Sequence, residues 1–114
     1  MSRWVILART GAILLAMKPY IVIVHKDPGS AYGMTFPDAP GCFSAADEIG
    51  DLFAMAEEAL SLWAEGEIED GRLMPAPRDL EDLKRDPAWA ESFADAAMVI
   101  AVPPPTVVVR HAAE

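Results

Sequence analysis

From Ile49 onward, apolar residues recur at spacings of three and four: Leu52, Phe53, Ala56, Leu60, Trp63, Ala64 and Ile68. Glu57, Glu58, Glu65, Glu67 and Glu69 fall between them. This is the pattern of an amphipathic helix. A long helix with one apolar face is stable only against something that buries that face, so the rest of the chain has to supply a second layer. Asp47 or Glu48 stands where an acid can cap the helix or face its dipole. Gly71, followed by Pro75 and Pro77, ends it.

The residues before the helix have a different period. YIVIVH, residues 20 to 25, is β-branched and aromatic and predicts a strand. After a KDPGS turn, AYGMTF places Tyr32, Met34 and Phe36 on one face, which predicts a second, antiparallel strand. The turn PDAPG follows, with Pro37 and Pro40 fixing φ and Gly41 free to take positive φ. Cys42 to Ala46 then completes a three-stranded meander. Downstream, residues 79 to 94 read as two short helical pieces split at Pro87, with Asp86 capping the second. MVIAV, residues 98 to 102, reads as a fourth strand returning to the same sheet. PPP at 103 to 105 stiffens the chain before TVVVRHAAE, a strand with nothing of its own to pair with.

A chain of 114 residues has room for one core, which predicts one domain over residues 18 to 102. The segment MSRWVILARTGAILLAM admits three readings: an extension upstream of a natural start at Met17, an extra apolar strand, or a secretory signal. Arg9 interrupts its apolar run and no AxA-type cleavage site follows. It is too short to span a bilayer. Eighteen acidic against nine basic residues give a net charge of -9, which disfavours nucleic acid and favours a basic protein partner. Cys42 is the single cysteine, so no internal disulfide forms and no Cys/His spacing suits zinc. A reducing cytoplasm is the expected setting.

The chain resembles the HicB family of antitoxins. The matching residues are Tyr20 with the strand after it, Phe36, Pro37, Asp38, Pro40, Gly41, Cys42 and Phe43, then Asp47, Ala56, Glu58, Ala59, Leu60 and Trp63, and Ile68 to Gly71 with Pro75. The combination FPDxPGC, EALxxW and IEDG is far more specific than any one piece. The resemblance implies an α+β, partial RNase H-like β-β-β-α-β fold, one long helix packed on a small mixed sheet. It also implies neutralisation of HicA, a small basic ribonuclease that cleaves mRNA, by covering its active site. Such proteins usually carry a C-terminal operator-binding segment. Only TVVVRHAAE follows the prolines, so that module is expected to be absent or truncated, with no direct DNA binding by this chain.

Several residues admit a chemical and a structural reading. Asp38, Cys42 and Asp47 could form a carboxylate and thiol cluster, but no base lies within the motif to activate the thiol, which favours turn, core and cap roles. A metal-dependent nuclease needs converging carboxylates, and the first strand has none. His25 reads as a solvated strand-end residue, and Phe53, Leu60 and Trp63 as core. The chain is therefore expected to be non-enzymatic, without metal or cofactor. Asp38, Glu57, Glu58 and Glu65 are the candidate partner-binding residues, and Val107, Val108 and Val109 the candidate edge for a homo-oligomer. The alternative is an oligomeric HicB-like binding domain without a toxin partner.

Overall fold

The computed structural model describes residues 6–9, 12–15, 18–72 and 75–108. Seven strands form two sheets. The smaller contains β1 (Ile6–Arg9), β2 (Ala12–Leu15) and β7 (Thr106–Val108) in the order β1-β2-β7. The larger contains β3 (Tyr20–Lys26), β4 (Tyr32–Thr35), β5 (Phe43–Ala46) and β6 (Met98–Val102) in the order β5-β4-β3-β6. Among the described residues there are also three α-helices, α1 (Leu52–Glu69), α2 (Leu80–Arg85) and α3 (Ala90–Ala94), and two short 3-10 turns.

The larger sheet grows from two turns of one design. Ser30 N–H donates to Asp27 C=O across Pro28 and Gly29, and Cys42 N–H donates to Ala39 C=O across Pro40 and Gly41. Gly29 and Gly41 have φ of 76° and 88°. Proline first and a positive-φ glycine second is the type II turn. Alternation then sorts the side chains. Tyr20, Val22 and Val24, with Met34 and Phe36, face α1 across one core. The register Val24↔Met34 and Tyr20↔Val102 brings the neighbouring strands' apolar residues onto that same face.

α1 lies on this face through a row at every fourth residue, Leu52, Ala56, Leu60 and Ala64, all buried. The two alanines let the helix approach the sheet closely. That narrow contact corrects the broader stripe expected from spacing: Ile49 and Phe53 are 58% and 51% exposed, and Trp63 is half-buried. A helix on a flat sheet buries one row and its nearest flanks, and residue 53 lies a full 100° step around from residue 52. α1 ends in a Schellman arrangement, with Gly71 N–H donating to Ile68 C=O and Arg72 N–H to Glu67 C=O. At its start a 3-10 turn, Ile49–Asp51, precedes α1, and neither Glu48 nor Asp51, at the two N-cap positions, makes a side-chain cap bond. The expected cap at Asp47 is thus one turn too early.

Every strand pairing in the larger sheet is antiparallel, where a mixed sheet was expected within the α+β class. The cause is the segment after α1. It starts beside the beginning of β3, where Tyr20 Oη donates to Pro75 C=O at 3.1 Å. It then crosses the other face of the sheet as α2 and α3, and reaches the far end of β3, where His25 Nε2 meets Ser92 C=O at 3.1 Å. Ala97 N–H donates to Val24 C=O, so β6 enters from that far end and runs back against β3. This crossing explains why Ile23 and Leu83 are fully buried although neither belongs to the α1 cluster. β3 is covered on both faces, and His25 is a tied residue instead of a solvated one.

β7 also departs from expectation. It pairs antiparallel with β2, Ala12↔Val108 through Leu14↔Thr106, so the terminal strand has a partner within its own chain. β1 and β2 are paired strands, which bears on the first seventeen residues. Val109 lies outside the described residues.

Candidate functional site

The segment joining β4 to β5 is a double turn pinned from three sides. Ala39 N–H donates to Phe36 C=O and Cys42 N–H to Ala39 C=O, so two turns follow each other with a proline leading each. Phe36, Ala39 and Cys42 are buried and anchor the corners in the core, while Pro40 and Gly41 stay exposed at the tip. From the helix, Trp63 Nε1 donates to Pro40 C=O at 2.8 Å. This contact gives the spacing between the turn and Trp63 its physical meaning: the indole supports the turn in addition to packing.

The third pin is Arg78. Its Nε donates to Asp38 Oδ1 at 2.9 Å and its backbone N–H to Asp38 Oδ2 at 2.7 Å. The guanidinium also reaches Asp86 Oδ2 at 3.1 Å. Asp86 Oδ1 in turn accepts from Ala88 N–H, capping the 3-10 turn Pro87–Trp89. The Ala88 amide, aided by Arg78, lowers the Asp86 carboxyl below its ordinary range, and the bond to Asp38 raises the guanidinium. Asp38 is 8% exposed and both its oxygens are engaged, so it ties the fold together and is not a free charge for a partner. Nothing local in the sequence marks Arg78, which lies forty positions from Asp38.

Burial, with a smaller contribution from the Asp38 charge, raises the nearby Tyr20 hydroxyl well above its ordinary value. Burial alone pushes the Cys42 thiol up to about 12, which keeps it protonated and unreactive at neutral pH. Among the described residues, no group of three or more His, Cys, Asp and Glu could hold a metal ion. None of their helices is long and apolar enough to cross a membrane.

The remaining candidate acids do not form one surface. Glu57 lines a cleft of about 300 Å³ with Ser61, Pro103, Pro104 and Pro105, on the flank of α1 that the proline arm covers. Glu58 and Glu65 lie around the other side of the helix, next to the exposed Met55 and Leu62. That flank runs beside β5, where Ser44 Oγ donates to Met55 C=O at 3.1 Å. The charge segregation is pronounced along the chain as well. No lysine, arginine or histidine occurs between Lys26 and Arg72, a stretch that contains β5, the acids of its flanking turns and those of α1. Arg72 closes it, bonding Glu67 and Asp70; its bond to Glu67 holds that carboxyl below the usual range.

The described residues form a small α+β domain whose β4–β5 turn is tied from outside by Trp63 and Arg78. The chain belongs to the HicB_like antitoxin family of bacterial toxin-antitoxin systems, which it matches over residues 20–111. This family has a regulatory role. Its fold is shared by the crystal structure of the Burkholderia pseudomallei antitoxin HicB, at 33% identity and a TM-score of 0.61, covering 76% of this chain and 62% of that one. A chain of the HicA3 and HicB3 toxin-antitoxin complex matches at 26% identity and a TM-score of 0.56, covering 81% of this chain and 98% of that one. An uncharacterised 14.9 kDa protein from the rep-hol intergenic region of Haemophilus phage HP1 is 35% identical over 72 residues, covering 63% of this chain. The match takes in 53% of that phage protein, about half its length.

Proposed function

We propose that this chain is the antitoxin of a type II toxin-antitoxin pair, acting in the cytoplasm, and that it binds a basic HicA-type mRNA interferase and silences it by covering its active site. The observation that carries the reading is the match to nearly the full length of a chain from a HicA3 and HicB3 complex. The acid-only stretch between Lys26 and Arg72 supports a basic partner, because opposite potentials speed encounter and exclude wrong partners. The role is non-catalytic and needs no cofactor, a reading supported by a thiol held protonated and by Asp38, the one buried carboxylate among the described residues, being neutralised by Arg78. The chain self-associates as a dimer or tetramer through the outer edge of β7, around Val107 and Val108.

The test is co-expression with the small basic protein encoded beside it, followed by an RNA-cleavage assay of that protein with and without this chain. A stable complex that stops cleavage is the expected result. A folded chain that forms no complex moves the reading to a HicB-like binding domain serving another partner.

A further inference from the structure

The larger sheet ends in two strands, β5 and β6, and their surroundings differ. β5 pairs only with β4 among the described residues, so its outer row of N–H and C=O groups is open to a further strand. Side chains bordering that row are apolar and exposed. Phe43, on the face of β5 away from α1, is 68% exposed, and Leu62, on the adjoining flank of the helix, is 62% exposed with Met55 about two helical turns before it. Isolated exposed apolar residues need no explanation, but here they line both sides of one open edge. Outside them stand Glu58 and Glu65, and no basic residue occurs anywhere in β5, its turns or α1. The opposite flank of α1 is already occupied by Pro103–Pro105.

From this juxtaposition we infer that β5 is the docking edge for a partner protein: an extended segment of the partner, carrying apolar side chains and Lys or Arg, adds to the sheet beside β5, with its apolar residues against Phe43, Met55 and Leu62 and its cations against Glu58 and Glu65. Backbone bonds from strand addition supply affinity, and the alternate side chains supply selectivity. The double turn before β5 sets where the edge begins. Its ties to Trp63 and Arg78 hold the edge in place before the partner arrives, which lowers the ordering cost of binding. The inference rests on the toxin-binding reading for the identity of the partner, and on the edge itself for the mode of binding.

The experiment measures amide hydrogen exchange of this chain alone, with the neighbouring HicA-type protein, and with a synthetic peptide alternating lysine and valine. Phe43–Ala46 are expected to gain protection in the complex, and Phe43→Glu and Leu62→Glu each to weaken it by about tenfold or more. Ala101→Glu, on the other edge strand, leaves it unchanged. Both variants replace exposed side chains, and an unaltered thermal transition verifies that they fold. If the toxin binds with β5 amides unprotected and both variants at full affinity, the docking edge is wrong and the antitoxin reading stands. If the toxin does not bind but the peptide protects β5 and the variants abolish that protection, the edge stands and the antitoxin reading falls. Protection by neither ligand overturns the inference.

Discussion

Arg78 joins three parts of the chain that lie far apart in sequence, and its loss leaves Asp38 buried without a counter-charge. Arg78→Ala is expected to lower unfolding stability by about 3 kcal/mol in urea titrations. Arg78→Lys recovers little of it, because a single ammonium cannot reproduce the guanidinium fork. Trp63→Phe keeps the ring and removes the bond to Pro40, a loss of about 1 kcal/mol. As a fully buried core residue, Trp63 truncated to Ala would cost roughly 3–5 kcal/mol; being half-buried, it is expected to cost less. Cys42 makes stability fall in alkali. In the unfolded chain its thiol ionises near 9.0, whereas in the fold it holds its proton to about 12. Its contribution is therefore complete below pH 9.0 and is lost progressively as pH rises towards the folded value, at up to about 1.4 kcal/mol per pH unit. Tyr20, also raised, adds to the loss above its own unfolded value of 10.0. Cys42→Ala flattens the decline between 9.0 and 10.0, read from urea midpoints across that range.

At the scale of elements, α1 offers the sharpest contrast. Leu60 is fully buried in the contact row and Leu62 is mostly exposed, two positions further along the same helix. Leu60→Ala is expected to cost about 3 kcal/mol and Leu62→Ala less than about 0.5 kcal/mol, both measurable by thermal unfolding. Elements set by local periodicity were readable from the sequence: β3, β4, the two Pro-Gly turns, α1 with its Gly71 terminus, and β6. The breadth of the buried stripe was not, because spacings of three and four admit both Leu52 and Phe53, and only the width of the sheet chooses between them. The direction of β6 was hidden for a related reason. It depends on contacts such as Tyr20 with Pro75 and His25 with Ser92, whose partners lie 55 and 67 positions apart and leave no periodic trace. The same distance concealed Arg78 as a partner of the turn, so Asp38 looked like a surface acid.

For the molecule as a whole, the segregation of charge gives a kinetic expectation. The association rate with a basic toxin should fall by roughly tenfold or more between low salt and about 0.5 M salt, in stopped-flow measurements, with a smaller change in the dissociation rate. Glu58→Lys with Glu65→Lys should reduce that salt dependence. The strand order β5-β4-β3-β6 has a further consequence, for a chain emerging from the ribosome. β3 is the most completely buried strand of the larger sheet, yet the neighbour that covers one of its edges is made some seventy residues later. Until residues 98 to 102 are synthesised, the chain exposes its most apolar strand edge, the kind that pairs readily with another nascent copy. Translation that pauses before residue 98 should therefore favour aggregation, whereas a pause just after residue 102 should yield a larger sheet that is already closed on that side.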